Sequence, residues 1–371
     1  MKSFIRTTLV TAVSGTLLLT GCSTGTEPSA DGSAPVAAAD LKGKVYFLTP
    51  NSQVTRFDSY DTPNLKEALA KYAPGLELVT QSADNDPSRQ LQQAQAAVTQ
   101  GAKAIIMAPP VPDQSQSVVA AAHAANIPVI DFAYASTNSE IDYYVTVPFE
   151  PIGEQVAKYA VEKMKDTAKP LRIAEITGDP SFFFDTEIRK GTAKVLDPLV
   201  KTGDVEVVCQ NDNLQLSADN ARLALEGCMQ RAGGDLDAVI VHNDSSANGV
   251  LAALSAQDLL GKVKVFGGYD AQPGVVQHLL AGNIENTMVP PYKAMADATA
   301  RLIVAKLTGD GSDKDLATGT YDTGIKKVPT VYNENVFITA DNVGKELIDT
   351  GLLKKTDVCA GPAVTSEFCK Q

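Results

Sequence analysis

Planar hydrogen-bonding side chains follow two short apolar runs in the second half of the sequence. Asn243 directly follows residues 238–242, and Asp270 lies shortly after residues 264–266. Amide and carboxylate groups can each form two hydrogen bonds at once, so they suit a small polar ligand. Asn and Asp are also common in turns and helix caps. We expect Asn243 and Asp270 to bind a ligand, and the neighbouring Asp244 to cap the next helix.

Recognisable catalytic motifs are missing from the sequence. It contains no Walker A, GxGxxG, GxSxG, HExxH or EF-hand pattern. The three histidines (His123, His242 and His278) are far apart in the chain. The acidic residues near the strand ends do not suggest, by their spacing, the carboxylate pair of a glycosidase. We therefore expect binding rather than catalysis, with no cofactor and no metal site.

Short apolar runs alternate with helical patterns along most of the chain. Strands are predicted over residues 45–49, 76–80, 104–108, 128–132, 143–147, 172–176, 205–209, 238–242 and 264–266. In the second half, helices are predicted over residues 186–196, 217–230, 246–257 and 272–280, with Ser217 as an N-cap. Continuous apolar strands alternating with helices indicate parallel sheets that are covered on both faces. Because roughly 330 residues exceed a single core, we expect two α/β lobes, each a doubly wound parallel sheet.

Further candidate residues lie where predicted strands end. In an open parallel sheet, ligands bind beyond the carboxyl ends of the strands. Phe57 and Tyr134 occupy such positions in the first half of the chain, and Phe183 and Asp212 do so in the second. We expect all four to line the site. For residues 182–184 the alternative is a loop that packs against its own lobe.

The N-terminus has the pattern of an export signal. Two basic residues precede the apolar stretch 9–19, which ends in Leu-Thr-Gly-Cys22. This stretch is shorter than the roughly 20 residues of a membrane span, and the last four residues resemble a bacterial lipobox. We expect residues 1–22 to be a signal peptide with lipidation at Cys22, and residues 23–43 to be a flexible tether. The alternative is an ordinary signal peptide in which the cysteine occurs by chance.

Charge and cysteine content limit the partners and the compartment. The formal net charge is −12 at pH 7, which argues against nucleic acid because phosphate binding needs basic side chains. After Cys22 an even number of cysteines remains, which favours disulfides in an exported protein. Their spacing predicts the pairs Cys209–Cys228 and Cys359–Cys369. A zinc site is the competing interpretation, but the sequence contains no CxxC pair.

Several short motifs carry a resemblance to a known family. They are Thr55-Arg56-Phe57, Gln81-Ser82-Ala83-Asp84-Asn85-Asp86, Asp237-Ala238-Val239-Ile240, Ala253-Leu254-Ser255-Ala256-Gln257 and Gly268-Tyr269-Asp270. In this order and at these spacings, the chain resembles the periplasmic sugar-binding proteins of the ribose- and xylose-binding type, and most of all the xylose-binding branch. The resemblance extends from about residue 45 to residue 341.

The resemblance implies a periplasmic binding protein fold of type I, in which a three-segment hinge joins the lobes. It places the N-terminal lobe at residues 44–148 plus 287–330 and the C-terminal lobe at residues 149–286 plus 331–357. The predicted Cys359–Cys369 pair adds a disulfide-closed tail at residues 358–371. It also implies a helix over residues 292–307 in the first lobe.

The same resemblance implies three ligand-binding residues: Arg56, Asn243 and Asp270. Other positions depart from the family pattern. Ala133-Tyr134 stands where the family has Asp-Arg, and Pro290 stands where the xylose-binding branch has lysine. Residues 182–184 are all Phe where that branch has small polar residues, and Asp212 replaces an aromatic residue. Xylose itself therefore does not follow from the resemblance.

Together these features predict a solute-binding lipoprotein outside the cytoplasm, either anchored to the outer face of the cell membrane or periplasmic. We expect a monomer that captures a small sugar or polyol between its lobes and delivers it to an ABC transporter permease. Two alternatives remain: a ligand-sensing lipoprotein with a signalling partner, and a binder of a small polar or cyclic ligand that is not a sugar.

Overall fold

The computed structural model describes residues 37–52 and 56–370. The predicted signal peptide, Cys22 and most of the predicted tether lie outside the described residues. The strands are β1 (Gly43–Thr49), β2 (Leu76–Ser82), β3 (Ala104–Met107), β4 (Val129–Phe132), β5 (Tyr143–Thr146), β6 (Leu171–Ile176), β7 (Val205–Asn211), β8 (Ala238–Val241), β9 (Lys264–Gly267), β10 (Thr287–Val289), β11 (Gly319–Asp322), β12 (Lys327–Tyr332) and β13 (Val336–Ile338).

The helices lie between these strands and at the C-terminus. They are α1 (Thr62–Tyr72), α2 (Pro87–Thr99), α3 (Gln116–His123), α4 (Glu150–Lys163), α5 (Phe183–Thr202), α6 (Ala218–Arg231), α7 (Asp244–Ala256), α8 (Pro273–Leu280), α9 (Tyr292–Thr308), α10 (Asp313–Leu316), α11 (Lys355–Val358) and α12 (Glu367–Lys370). A π-helical turn, Phe57–Asp61, leads into α1. Within the described part of the chain, no helix is both long and apolar enough to span a membrane.

Two main sheets form the lobes. The first has the strand order β11-β12-β5-β4-β3-β1-β2, and the second has the order β7-β6-β8-β9. All pairs in these sheets are parallel except β11–β12 at the edge of the first. Every position of β3 and β8 is buried, as expected for strands covered on both faces. The predicted fold class, two α/β lobes with parallel sheets, is confirmed.

Every strand predicted between residues 45 and 266 is present, with ends that differ by one or two residues. Strands β10 to β13 were not predicted; in the edge strand β11, two of the four positions are exposed and there is no continuous apolar run. Helix α5 is longer than predicted, since its first turn begins at Phe183 and it ends only at Gly203, where φ is +79°. Ser217 caps α6 as predicted, accepting a hydrogen bond from the Asn220 N–H.

Helices α4 and α5 approach each other closely through two glycines. A Cβ atom on Gly153 would collide with the carbonyl oxygen of Ile188, and one on Gly191 would collide with that of Glu150. Glycine is therefore required at this crossing. The contact holds α5, at Ile188 and Gly191, against the first turn of α4.

Three stretches of chain pass between the lobes. The third stretch, which contains β13, pairs with the second, which contains β10. Strand β10 forms an antiparallel ladder with β13. Strand β12 belongs to the first sheet, where it pairs with β5, and the predicted lobe boundary at residues 330/331 falls inside it. Helix α9 lies against α1, with Lys293 and Glu67 at 3.1 Å. The lobe boundaries given above remain a prediction.

Two cysteine pairs are within bonding distance. Cys209 within β7 pairs with Cys228 on α6, and Cys359 pairs with Cys369 in the C-terminal tail. These are the pairs that the spacing predicts. A disulfide that closes a loop of this length typically contributes about 2–4 kcal/mol to stability.

Candidate functional site

Arg56 is buried at the point where β1 leads into α1. Its side chain is 6% exposed, and its Nε and Nη2 atoms lie 2.9 and 3.3 Å from the two carboxylate oxygens of Asp61. The π-helical turn brings Arg56 and Asp61 to the same side of the chain. A bidentate pair of this kind fixes the plane of the guanidinium group. The Nη1 atom is thereby directed towards the second lobe, where it lies 3.4 Å from Oδ1 of Asp270.

Asp270 lies three residues after the end of β9, in a backbone conformation rare for residues other than glycine, with φ of +103°. The preceding turn requires glycine, since a Cβ on Gly268 would come within 2.6 Å of Oδ1 of Asp244. Tyr292 donates a hydrogen bond to Asp270 at 3.4 Å. Burial raises the pKa of Asp270 to about 6, although Arg56 acts in the opposite direction.

Asn243 lies directly before α7, and the two polar atoms of its side chain have different surroundings. Its Oδ1 accepts a hydrogen bond from the Ser246 N–H at 2.8 Å, which makes it the N-cap of the helix. Its Nδ2 is buried without a hydrogen-bond partner among the described residues, and the side chain lines a cavity shared with Arg56 and Asp270. The prediction that Asp244 is the cap is therefore wrong. Asp244 instead accepts hydrogen bonds from the Gln272 N–H and the Thr287 hydroxyl, because its side chain is fully buried beneath the turn.

Aromatic rings from both lobes form one wall of this cavity. The Tyr134 ring lies 5.2 Å from that of Phe184, and the Phe149 ring lies 5.7 Å from it. Phe57 does not line the cavity. It is fully buried behind Tyr134, at a ring distance of 5.6 Å. Its contribution is to support the Tyr134 ring.

The structure does not bring Phe183 or Asp212 to the cavity. The Phe183 ring packs on Tyr321 at 5.3 Å. Consecutive residues at the start of a helix point about 100° apart, so Phe183 and Phe184 cannot face the same side. Asp212 is directed away to Arg189, which lies 2.6 Å from it on the surface of the lobe.

The cavity also includes residues that were not predicted. They are Ala133, Phe149, Phe184, Ile188, Leu216, His242, Ser245, Tyr269 and Gln272. Tyr269 lies between Gly268 and Asp270, so the strand-end rule could have included it. The same rule could have included Ala133, Ser245 and Gln272, which also follow predicted strands. Ile188 and Leu216 lie farther from the strand ends, and the sequence gives no signal for them.

His242 lies beneath the cavity in a buried ionic cluster. Its two ring nitrogens are 2.7 Å from Asp185 and 2.9 Å from Glu175, and all three side chains are at most 4% exposed. Glu175 also accepts hydrogen bonds from Thr192 at 2.6 Å and from Gln210. Burial lowers the pKa of His242, but its bonds to the two carboxylates outweigh burial and raise the pKa to about 9. His242 therefore carries its charge at neutral pH.

The cavity has the chemistry of a binding site. Arg56 and Asn243 present hydrogen-bond donors, and Asp270 presents acceptors, while the aromatic rings can cover an apolar surface. Within residues 37–52 and 56–370, no group of three or more His, Cys, Asp or Glu side chains is arranged to hold a metal ion.

Two α/β lobes that enclose polar and aromatic side chains define a two-lobed binding protein. A family model described as a periplasmic binding protein domain matches residues 45–311, more than half of the chain. The chain therefore belongs to this family. The resemblance stated from the sequence is confirmed.

Similar proteins have been characterised or solved. The D-xylose-binding periplasmic protein of Haemophilus influenzae is 27% identical over 285 residues, covering 76% of this chain and 83% of that protein. A multiple sugar-binding periplasmic receptor of Rhizobium radiobacter is 27% identical and covers 86% of this chain and 93% of its own length. An ABC transporter solute-binding protein from Clostridium phytofermentans, solved with β-D-glucose, is 26% identical with a TM-score of 0.76, covering 85% of this chain and all of that one.

Proposed function

We propose that this protein captures a small sugar or polyol between its lobes and delivers it to an ABC transporter permease. The observation that carries the proposal is the meeting of Arg56 from the first lobe with Asp270 and Asn243 from the second in one buried cavity. A ligand that bonds to all three would hold the lobes together. Binding would therefore favour a closed cleft.

The relatives support a sugar as the ligand. Those described above are named for xylose or multiple sugars, and the similar solved structure contains glucose. Carboxylate, amide and guanidinium groups beside aromatic rings suit a ring that carries hydroxyl groups. The protein would act by binding and release, without a chemical step.

We further propose that the chain is exported, lipidated at Cys22, and acts as a monomer tethered to the membrane surface. The support is the Leu-Thr-Gly-Cys22 pattern followed by a polar stretch. Mass spectrometry of membrane-fraction protein should find a lipidated N-terminal cysteine after residue 21. An unmodified, freely soluble N-terminus would contradict this part of the proposal.

A thermal-shift screen of pentoses, hexoses, deoxysugars and polyols, followed by calorimetry, tests the binding function. A ligand present at 100 times its dissociation constant should add about 2.7 kcal/mol to the unfolding free energy. The expected result is that at least one member of the panel stabilises the protein and binds with a stoichiometry of one. If no sugar or polyol binds, the proposed function is wrong.

A further inference from the structure

The polar and apolar residues of the cavity are separated along the second sheet, whose order is β7-β6-β8-β9. The neighbouring strands β8 and β9 lead into mostly polar lining residues, namely His242, Asn243, Ser245, Asp270 and Gln272, together with the aromatic Tyr269. The other two strands, β6 and β7, lead into apolar ones, namely Phe184, Ile188 and Leu216. One side of the cavity is therefore polar and the other apolar, and we call these the polar half and the apolar half.

The first lobe contributes to both halves. Arg56 meets Asp270 in the polar half at 3.4 Å. Tyr134 meets Phe184 in the apolar half at a ring distance of 5.2 Å. Phe149, at the start of the second lobe, packs on the same Phe184 ring at 5.7 Å and on Tyr269 at 6.5 Å. Tyr134 spans the two, since its ring packs on Phe184, while Arg56 and Asp270 act electrostatically on its hydroxyl group. Arg56 of the first lobe thus faces the polar half, and the Tyr134 ring faces the apolar half.

Two polar groups that line the cavity near the apolar half, the His242 ring and the Ala133 carbonyl, are already bonded within the protein. Both ring nitrogens of His242 are held by Asp185 and Glu175. The carbonyl oxygen of Ala133 accepts hydrogen bonds from the hydroxyls of Tyr144 and Thr146. A ligand hydroxyl directed at this half would lose its bonds to water and gain no partner, which is unfavourable.

We propose that the preferred ligand is a sugar with hydroxyl groups on one edge and a deoxygenated, methyl-bearing edge opposite: a 6-deoxyhexose rather than the fully hydroxylated hexose. This inference rests on the proposed function as a sugar-binding protein. The hydroxylated edge bonds to Asp270, Arg56 and the free Nδ2 of Asn243. The methyl edge packs against Phe184, Ile188 and Leu216.

Calorimetry of the full chain with matched sugar pairs tests this inference. Each pair consists of a hexose and its 6-deoxy form: D-galactose with D-fucose, L-mannose with L-rhamnose, and D-glucose with 6-deoxy-D-glucose. In the pair that binds, the 6-deoxy sugar should bind roughly tenfold more tightly than the matching hexose, because the hexose would bury its 6-hydroxyl group without a hydrogen-bond partner. If the hexose binds as tightly or more tightly, the inference is wrong while sugar binding stands. If no sugar binds at all, the proposed function fails with it.

A variant of the apolar half provides a second test. Leu216 is only partly buried and has a φ of +52°, a conformation that Asn tolerates better than most residues. Leu216→Asn should therefore fold, and it should reduce the preference for the 6-deoxy sugar severalfold by offering the hexose hydroxyl a partner. The matched control Leu216→Met keeps the wall apolar and should keep the preference. An unchanged preference in Leu216→Asn, with the fold verified by circular dichroism, would contradict contact between the methyl edge and this wall.

Discussion

The structure contains two buried ionic clusters, one within the second lobe and one between the lobes. They differ in whether their charged groups remain available to a ligand. Each holds one cation between two carboxylates. His242 lies 2.7 and 2.9 Å from Asp185 and Glu175, and all three residues belong to the second lobe. Arg56 lies 2.9 Å from Asp61 in its own lobe and 3.4 Å from Asp270 in the other. Only the Arg56 cluster connects the two lobes.

The difference shows which cluster is available to a ligand. The His242 cluster is closed, because both ring nitrogens are bonded and Glu175 has further partners in Thr192 and Gln210. In the Arg56 cluster, Asp270 remains 15% exposed to the cavity, and its contact with Arg56 is long. We infer that the first cluster holds the floor of the site in place and that the second binds the ligand.

Breaking the closed cluster should have the largest effect. His242→Gln removes the cation and leaves Glu175 and Asp185 buried with unbalanced charge, which should lower the unfolding free energy by about 3–5 kcal/mol. Urea denaturation measures this loss. His278→Gln, a partly buried histidine outside both clusters, is the control and should cost less than about 1 kcal/mol. A loss of similar size in both variants would contradict the role of the cluster.

Breaking the open cluster should instead reduce affinity. Asp270→Asn removes the charged acceptor, so sugar affinity should fall at least thirtyfold, corresponding to about 2–5 kcal/mol. The unfolding free energy should change little, because Arg56 keeps its bidentate bond to Asp61. Calorimetry measures the affinity. Asp212→Asn serves as the control, since Asp212 lies outside the cavity, and it should bind as the parent does.

The clusters should also respond to pH in different ranges. The folded pKa of His242, about 9, lies above its ordinary 6.5. Its contribution to stability is therefore complete below pH 6.5 and is lost as pH rises to 9, at a cost of about 3 kcal/mol. The carboxyl of Asp270 has a pKa of about 6 and gains a proton below that pH. Sugar affinity should consequently weaken severalfold between pH 7.5 and pH 5.

Urea titrations and calorimetry across this pH range provide the check. The buried Asp131, whose pKa burial raises to about 8, also makes the fold less stable as pH rises. Comparing Asp131→Asn with the parent separates its contribution from that of His242. Stability that increases from pH 6.5 to 9 in both proteins would show that the charged state assigned to His242 is wrong.

The smallest effect concerns the aromatic wall. Phe184→Leu removes a ring that packs on Tyr134 and Phe149, so affinity should fall severalfold, as expected for a ring contact worth about 1 kcal/mol. Phe183→Leu makes the same change at the neighbouring position, whose ring packs on Tyr321. Its affinity should equal that of the parent. If Phe183→Leu lowers the affinity and Phe184→Leu does not, the sequence-based prediction that Phe183 lines the site is favoured.

The sequence predicts most of the fold, because apolar strands and amphipathic helices are local patterns. The strands up to β9 begin and end within two residues of their predicted limits. The edge strand β11 could not be found this way, since pairing with β12 and not burial defines it. The three residues chosen by resemblance, Arg56, Asn243 and Asp270, lie together at one cavity.

The sequence could not predict contacts between residues that lie far apart in the chain. His242 is separated from Asp185 by 57 residues and from Glu175 by 67, so no spacing pattern connects them. Likewise, the choice between Phe183 and Phe184 depends on where α5 begins, a boundary that local propensity defines poorly. The cap of α7 was assigned to Asp244 and not to Asn243 for a similar reason, since either residue could cap a helix.

A crystal structure of the protein with the sugar that the calorimetric screen selects tests the central claim most directly. The account predicts one sugar between the lobes, with ring hydroxyls within hydrogen-bond distance of Asp270, Arg56 and Asn243, and with its least polar edge against Phe184. A sugar bound outside this cavity, or one that contacts a single lobe only, would contradict the account.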